Sequence, residues 1–248
     1  MNIALYGLGR MGKAIEQVAI ARGHSIVLKV DTHNAGSPPK GADVAIEFSR
    51  PDQALANMEL CLKHGVPVVV GTTGWYDRLA LTQRLVAEHE GALLWASNFS
   101  IGVNLLFRLN RHLAALMDDR SGYRVRIDEV HHVHKLDAPS GTAITLAKDI
   151  DLKHHAYAGW ALEDRAQAPG PPPSDPARPA DTAPVVITSE RTGEVPGKHS
   201  VTWTSAEDRI TLTHEAFGRS GFATGAVVAA EWLRGRSGLF TLDDVLGA

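Results

Sequence analysis

Three glycines near the N-terminus constrain the fold of this chain more than any other sequence feature. Gly7, Gly9 and Gly12 follow a short apolar run at residues 3–6 and precede residues 13–22, whose apolar positions recur at helical spacing. Because glycine has no side chain, a strand, a glycine turn and a helix in this order let the backbone approach a phosphate at the helix N-terminus. The pattern therefore predicts a phosphate-binding turn at the start of an α/β unit.

An acidic residue follows the glycine turn at the spacing of a dinucleotide site. Asp31 closes the apolar run at residues 25–30, where a carboxylate can accept hydrogen bonds from ribose hydroxyls. We therefore expect NADH or NADPH as cofactor. The carboxylate repels a ribose phosphate, while Lys29 and His33 lie close enough in sequence to offset that repulsion. The sequence favours NADH without excluding NADPH.

Strands alternate with helices through the first part of the chain. Two loops, Gly71-Thr72-Thr73-Gly74 and Ser97-Asn98-Phe99-Ser100, follow apolar runs at residues 66–70 and 93–96. Each loop is either an ordinary strand-to-helix turn or part of the ligand-binding edge of a parallel sheet. We predict an α/β fold with a Rossmann-type parallel-sheet dinucleotide domain at residues 1–100, completed by residues 218–248. Its predicted cofactor-binding residues are Gly7, Gly9, Arg10, Met11, Gly12, Asp31, Gly71, Thr72, Thr73, Ser97, Asn98 and Phe99.

The pattern changes after a helical segment at residues 103–117. β-rich stretches at residues 123–133, 185–191, 200–205 and 209–215 and one helix at residues 143–150 predict a second α+β domain at residues 101–217. We expect a mixed sheet built largely from successive neighbours. Proline-rich residues between about 160 and 184 predict a long loop, either a surface insertion or a lid. A helix at residues 222–233 and a short element at residues 239–246 end the chain.

Composition excludes several classes of protein. The 25 Lys and Arg residues against 28 Asp and Glu give a net charge of -3, so no basic excess points to nucleic acid. The single cysteine, Cys61, cannot form an intrachain disulfide or a thiolate zinc cluster, which indicates a reducing cytoplasm. We see neither a secretory signal nor an apolar run of the roughly 20 residues that span a bilayer.

Histidines are concentrated in one segment, Glu129-Val130-His131-His132-Val133-His134-Lys135. If the segment stays extended, His131 and Lys135 point to one face and His132 and His134 to the other. An imidazole that donates a proton would then lie beside an ammonium group. Solvated strand histidines are the simpler interpretation. A metal site at His131, His132 and His134 is a third, but it lacks a thiolate and an HExxH arrangement, and we expect no metal.

An anion site is predicted directly after the histidines. Pro139 ends the extended stretch, and Ser140, Gly141 and Thr142 precede a helix, whose first N–H groups have no partner within the helix. Lys135 and this helix start could together hold a carboxylate.

These residues together resemble the dihydrodipicolinate reductase (4-hydroxy-tetrahydrodipicolinate reductase) family. The resemblance rests on the glycine turn with Met11, on the two loops that follow strands, and above all on the segment from His131 to Ala143, HHVHKLDAPSGTA. It extends to RTGEVPGKH at residues 191–199 and to THEA at residues 213–216 with Arg219. Thr32 follows Asp31 where several relatives have Arg, and the proline-rich insertion matches no family motif.

The resemblance implies a function and its residues. Members reduce hydroxy-tetrahydrodipicolinate, or its dehydrated form, to tetrahydrodipicolinate with NADH or NADPH in lysine and diaminopimelate biosynthesis. The resemblance therefore implies a small dicarboxylate as substrate. By the same correspondence His131 is the proton donor, Lys135 is the second catalytic residue, and His132, Gly141 and Thr142 bind substrate. Family members are usually cytoplasmic homotetramers joined through the sheet of the C-terminal domain.

Two other functions stay open from the residues alone. The first is another two-domain NAD(P)-dependent reductase, such as an amino-acid dehydrogenase, because fold does not fix substrate. The second is a non-catalytic NAD-binding sensor. The pairing of His131 with Lys135 argues against the sensor, because cofactor binding requires neither residue.

Overall fold

The computed structural model describes residues 1–163 and 182–247. Its strands are β1 (Asn2–Tyr6), β2 (Ser25–Val30), β3 (Val44–Glu47), β4 (Val68–Val70), β5 (Ala92–Trp95), β6 (Arg124–His131), β7 (Tyr157–Leu162), β8 (Ala183–Arg191), β9 (Lys198–Thr204), β10 (Arg209–Glu215) and β11 (Gly238–Thr241). Its α-helices are α1 (Arg10–Ala21), α2 (Pro51–Lys63), α3 (Leu79–Glu88), α4 (Ile101–Met117), α5 (Gly141–Lys153), α6 (Ser220–Leu233) and α7 (Leu242–Val245). A single 3₁₀ turn, Tyr76–Arg78, precedes α3.

The chain forms two compact units. The first contains Met1–Ile101 and Arg219–Ala248, and the second contains Gly102–Gly218. In the first unit six parallel strands form one sheet in the order β11-β5-β4-β3-β1-β2. The predicted Rossmann-type parallel sheet is confirmed.

Helices cover both faces of the first sheet, which explains why its strands are apolar throughout. Ile3 and Leu5 of β1 pack in one core with residues of α1 and α6. Ala4 and Tyr6 point the other way, into a core with residues of α2 and α3. Alternate side chains of one strand thus enter two different cores.

The second unit contains a five-stranded mixed sheet in the order β10-β9-β6-β8-β7. Strands β9 and β10 and strands β6 and β9 are antiparallel, whereas β8 is parallel to both β6 and β7. The mixed sheet is as predicted, but the expectation of mostly successive neighbours is wrong for β6, which lies between β8 and β9. The reason is the crossover from β6 through α5 to β7. It makes β7 run in the same direction as β6, and β8 then pairs between β6 and β7.

Two local predictions are also wrong. Strand β7 overlaps the start of the predicted proline-rich loop. Its sequence gives no strand pattern, and its hydrogen bonds come from pairing with β8. The extended stretch does not continue to Lys135. Strand β6 ends at His131, and the N–H of Lys135 donates to the carbonyl of His132 in a turn. Most of the proline-rich segment lies outside the described residues.

Candidate active site

The glycine turn is closely packed at two of its three glycines. Gly7 has a φ of +95°, and a Cβ at this position would lie 2.2 Å from the carbonyl oxygen of Phe48. A Cβ on Gly12 would lie 1.9 Å from the carbonyl oxygen of Gly7. Gly9 is the N-cap of α1, and no atom would lie within 4 Å of its Cβ. Two glycines therefore fix the turn, and the third leaves its backbone open to a ligand.

A cavity of about 560 Å³ adjoins this turn. It contains the exposed backbone of Gly9 and the carboxylate of Asp31, which follows the last residue of β2. The complete lining is Gly7, Leu8, Gly9, Val30, Asp31, Thr32, Ala35, Phe48, Ser49, Arg50, Gln53 and Asn57. A backbone cradle and a carboxylate at the end of the neighbouring strand fit the pyrophosphate and ribose of a dinucleotide.

Asp31 and the neighbouring Lys29 both have partners within the protein. Oδ1 of Asp31 accepts a hydrogen bond of 2.8 Å from the N–H of His33. The ammonium of Lys29 pairs with the carboxylate of Glu16. Lys29 is therefore less able to offset the negative charge of Asp31 than its sequence position indicates.

The remaining predicted cofactor residues lie at the same edge of the first sheet. Gly71, Thr72 and Thr73 follow β4, and Ser97, Asn98 and Phe99 follow β5. Arg10 is the exposed first residue of α1, and Met11, next to it, packs against the core.

Phe48 connects the loops after β3, β4 and β5. A Cβ on Gly71 would lie 2.1 Å from its ring, and its ring centroid lies 5.6 Å from that of Phe99. Gly71 is thus required for packing, because a side chain there would displace the aromatic ring.

A buried carboxylate beneath this edge was not predicted from the sequence. Glu47, the last residue of β3, is completely buried, and its Oε1 accepts hydrogen bonds from Ser49 and Asn57. Burial raises the pKa of Glu47, and its hydrogen bonds offset only part of that effect. Its position in an otherwise apolar strand is the signal that could have identified it.

The second unit contains a buried polar cluster at the end of β6. Residues Val125, Ile127, Glu129 and His131 alternate on the buried face of this strand. Oε1 of Glu129 accepts hydrogen bonds from the N–H of Ser140 at 3.1 Å, the hydroxyl of Ser189 at 2.7 Å and the guanidinium of Arg191 at 2.9 Å. Oε2 lies 2.5 Å from Nδ1 of His131.

Opposing effects act on the charge of Glu129. Burial on its own would raise the pKa of this carboxyl, but hydrogen bonds from His131, Ser189 and Arg191 hold the pKa well below its usual range. Glu129 is therefore ionised at neutral pH.

A second histidine adjoins the same carboxylate. His199 of β9 is directly opposite Glu129 in the antiparallel pair, and its ring lies 5.0 Å from the ring of His131. Its Nε2 is 2.9 Å from Oγ of Ser140. Burial and the neighbouring His131 lower the pKa of His199 to about 4, which makes it neutral at pH 7.

The turn after β6 holds the predicted ammonium group. Nζ of Lys135 donates to both carboxylate oxygens of Asp137, at 2.7 and 2.9 Å. A hydrogen bond from Arg191 to the carbonyl of Asp137 fixes the same loop. His132 is half-buried beside His134, with ring centroids 6.0 Å apart.

The predicted anion site coincides with the start of α5. Ser140 is the buried N-cap, and its Oγ accepts a hydrogen bond of 3.2 Å from the N–H of Ala143. Gly141 is exposed and Thr142 is half-buried. Ser140 is thus occupied within the protein, and Gly141 lies where the helix start meets solvent.

Sequence reasoning missed Glu129, Ser189, Arg191 and His199 as members of this site. Their register brings them together: Glu129 is paired with Ser189 of β8 and with His199 of β9. The available signal was the period of two along β6, which places a carboxylate and an imidazole at positions otherwise filled by apolar residues.

The structure groups different residues from those of the alternative metal site. Among the described residues, Glu129, His131 and His199 could offer ligand atoms within 4.8 Å of one another. The carboxylate already accepts a hydrogen bond from the Arg191 guanidinium, a cation that would repel a metal ion. The arginine contact therefore disfavours a metal ion at this carboxylate.

Known proteins match the whole arrangement in chain order. The family described as dihydrodipicolinate reductase, N-terminus, matches residues 1–99, and its C-terminal counterpart matches residues 102–246. The chain is 45% identical over 248 residues to 4-hydroxy-tetrahydrodipicolinate reductase of Christiangramia forsetii, covering 99% of this chain and 98% of that protein. It is 36% identical to the enzyme of that name from Neisseria meningitidis, covering 93% and 80%.

Solved structures share the fold. Dipicolinate-bound dihydrodipicolinate reductase from Paenisporosarcina sp. TG-14 has a TM-score of 0.76 at 23% identity and covers 97% of each chain. Amine dehydrogenase from Mycobacterium smegmatis has a TM-score of 0.57 at 13% identity and covers 98% of this chain and 95% of that one. Since both family regions match in order and a relative is 45% identical over almost the full length, the chain belongs to the dihydrodipicolinate reductase family.

Proposed function

We propose that this chain reduces 4-hydroxy-tetrahydrodipicolinate to tetrahydrodipicolinate with NADH or NADPH, in lysine and diaminopimelate biosynthesis. Relatives that carry this name match nearly the whole chain. The observation that carries the proposal is the segment after β6, where an imidazole, an ammonium and a helix start lie within twelve residues, from His131 to Thr142. These are the groups that protonation and binding of an anionic ring require.

The cofactor supplies a hydride when bound, and the chain supplies the proton and the binding of carboxylates. His131 is the proton donor, since its ring is held at Nδ1 by Glu129 and keeps Nε2 for the substrate. Lys135 is the second catalytic residue. Its ammonium is balanced by Asp137 alone among the ion pairs described for it, so a substrate carboxylate can replace that partner.

Substrate binding is assigned to residues around the helix start. His132 and the exposed start of α5 at Gly141 and Thr142 would receive a carboxylate, because N–H groups and the helix dipole favour an anion there. Ser140 contributes by capping the helix.

The two units would have separate roles. The first unit would bind the dinucleotide through its glycine turn, Asp31 and the loops after β4 and β5, and the second would bind the substrate and form the oligomer. The cavity beside Gly9 and Asp31 supports the first assignment. We propose a preference for NADH, because the Asp31 carboxylate repels a ribose phosphate and Lys29 is paired with Glu16.

We also propose that the protein is a cytoplasmic homotetramer. Arg126 and Asp128 alternate with the buried residues of β6, so they lie on the sheet face opposite the core, where they form a partly exposed ion pair that another subunit could cover. Light scattering should give four times the chain mass of 26.7 kDa.

The free, buried thiol of Cys61 suits a reducing compartment. Within the described part of the chain, no helix has the length and apolar character to cross a membrane.

The test is steady-state oxidation of NADH and NADPH with enzymatically generated 4-hydroxy-tetrahydrodipicolinate. We expect turnover with this substrate and none with amino acids or 2-oxo acids. Turnover of an amino acid alone would replace the proposed function with that of an amino-acid dehydrogenase.

A substrate analogue gives a second test. Pyridine-2,6-dicarboxylate should inhibit competitively with the substrate, and pyridine-2-carboxylate should bind more weakly, because one charge-assisted anchor is lost. The Lys135→Ala variant should discriminate less between the two compounds. Equal discrimination by both proteins would show that Lys135 does not anchor a carboxylate.

A further inference from the structure

Glu129 makes a direct contact with the proposed proton donor. Its side chain is completely buried, and its Oε2 lies 2.5 Å from Nδ1 of His131. An ionised carboxylate can accept a hydrogen bond but cannot donate one. The close carboxylate therefore favours a proton on Nδ1 of the imidazole.

We propose that Glu129 is a positioning residue for proton transfer: it holds the Nδ1–H of His131, orients the ring and stabilises its charged form, so that Nε2 carries the proton given to substrate. The inference rests on the proposed function only in assigning His131 as the donor. Glu129 itself touches neither substrate nor cofactor in this role.

The carboxylate is held rigidly by its other oxygen. Oε1 accepts three hydrogen bonds, from the Ser140 backbone, the Ser189 hydroxyl and the Arg191 guanidinium. These donors come from the start of α5 and from β8, two elements that are themselves fixed in the fold. Oε2 is consequently left to face His131.

The opposite nitrogen of the ring lies against a glycine. A Cβ on Gly197 would lie 3.0 Å from Nε2 of His131, and Gly197 has a φ of +151°. A glycine at this position thus keeps the transferable proton clear of a side chain. The same ring thus pairs with a carboxylate at one nitrogen and faces a glycine, which has no side chain, at the other.

The surrounding charges explain why His131 needs this partner. Arg191 of β8 and Lys135 of the following loop are cations, and Asp137 is paired with Lys135. His199 of β9 and His214 of β10 both have lowered pKa values because they are buried. Without the Glu129 carboxylate, a charged His131 would lie among cations and neutral rings.

The central test is the Glu129→Gln variant. Its amide oxygen can replace Oε1, but its amide nitrogen would then face Nδ1 of His131 and donate to it, which places the ring proton on Nε2 of a neutral imidazole. Neutral imidazole is a very weak acid. We expect kcat to fall by about 10² to 10⁴-fold, with the Kd for NADH unchanged within about twofold.

The pH profile separates positioning from a structural role. Turnover that needs a charged donor falls as pH rises, and loss of the neighbouring negative charge should move this alkaline fall in turnover to lower pH. Ser189→Ala is the matched control, because it removes one hydrogen bond to Oε1 and keeps the charge. It should lower kcat by no more than about tenfold and leave the alkaline fall in place. Glu129→Asp keeps the charge and should retain more activity than Glu129→Gln.

A spectroscopic measurement decides the inference independently of turnover. In protein with ¹⁵N-labelled histidine, the His131 signals are assigned by their absence in His131→Gln. We expect a protonated Nδ1 in the wild type over the whole pH range, and a ring titration at lower pH in Glu129→Gln. A wild-type Nδ1 without a proton would overturn the inference, even if Glu129→Gln does not fold. If Glu129→Gln folds, a His131 titration and a pH profile identical to those of the wild type would also overturn it. Absence of turnover by the wild type would instead refute the proposed function.

Discussion

At the scale of single residues, the ion pair between Lys135 and Asp137 determines how the ammonium is available to a substrate. The pair is partly exposed, so it is screened by solvent and costs little to open. Hydrogen bonds from Lys135 hold the pKa of Asp137 below its usual value, although burial alone would raise it. A carboxylate of the substrate can therefore take the place of Asp137 at modest cost.

Replacement of Lys135 tests this assignment. We expect Lys135→Ala to lower kcat/KM by at least about 10²-fold, because a charge-assisted contact made in the transition state is lost. The Kd for NADH, measured by fluorescence titration, should change by less than about threefold. Asp137→Asn is the matched variant: it frees the ammonium and should lower KM. An equal loss of NADH binding in Lys135→Ala would show that Lys135 acts on the cofactor.

Asp31 is expected to set the choice of cofactor. Asp31→Ala should shift the ratio of kcat/KM values toward NADPH, because repulsion of the ribose phosphate is removed and the acceptor for the ribose hydroxyls is lost. Glu88, an exposed carboxylate on α3, provides the control in Glu88→Ala, which should leave the ratio unchanged. If Asp31→Ala does not change the ratio, the residue does not contact the ribose.

At the scale of elements, helix α5 depends on one buried hydroxyl. Oγ of Ser140 caps the helix at the N–H of Ala143 and lies 2.9 Å from Nε2 of His199. Ser140→Ala should reduce the free energy of unfolding by about 1 kcal/mol for the cap and by about 1 to 3 kcal/mol more for the unpaired buried imidazole. Urea unfolding measures this loss. Thr145→Ala, on the same helix, should cost less than about 0.5 kcal/mol; equal losses would mean that the cap contributes nothing specific.

Elements with local signals could be predicted from the sequence. The glycine turn and the strands around it were predictable because their geometry depends on neighbouring residues, and Gly7 and Gly12 have no room for a Cβ. Strand β7 was not, because only its pairing with β8 makes it a strand. The turn after His131 likewise follows from hydrogen bonds with the residues after β8.

The candidate site was predictable only in part for the same reason. His131 and Lys135 lie close together in the sequence, which is why both were predicted in one site. Glu129 and His199 are 70 positions apart, and only the register between β6 and β9 brings them together. A strand pattern gives the face of each side chain but does not identify its partner across the sheet.

At the scale of the whole molecule, the buried histidine connects stability to pH. Burial lowers the pKa of His199 to about 4 in the folded protein, below the ordinary histidine value of 6.5, so the unfolded chain binds a proton more readily. The contribution to stability is complete above about pH 6.5 and is lost as pH falls toward 4, by up to about 3 kcal/mol. Glu129, whose pKa is also lowered, loses its contribution at still lower pH.

Urea unfolding at several pH values tests this dependence. We expect the free energy of unfolding of the wild type to decrease steeply between pH 6.5 and pH 4. The decrease should be smaller in His199→Gln, which has no imidazole to protonate, and unaltered in His33→Gln, whose histidine is exposed. The same slope in all three proteins would mean that other groups cause the acid sensitivity.

The first unit is made from two separated segments of the chain, and this has a consequence for biosynthesis. Helix α6 contributes Ala223, Ala226 and Ala230 to the core that contains Ile3 and Leu5. A ribosome must make all of Gly102–Gly218 before it reaches this helix, which takes on the order of ten seconds. During that interval the apolar face that α6 later covers is bare in the nascent chain. The newly made N-terminal segment is therefore a natural client for chaperones that bind exposed apolar surface, until translation is nearly complete.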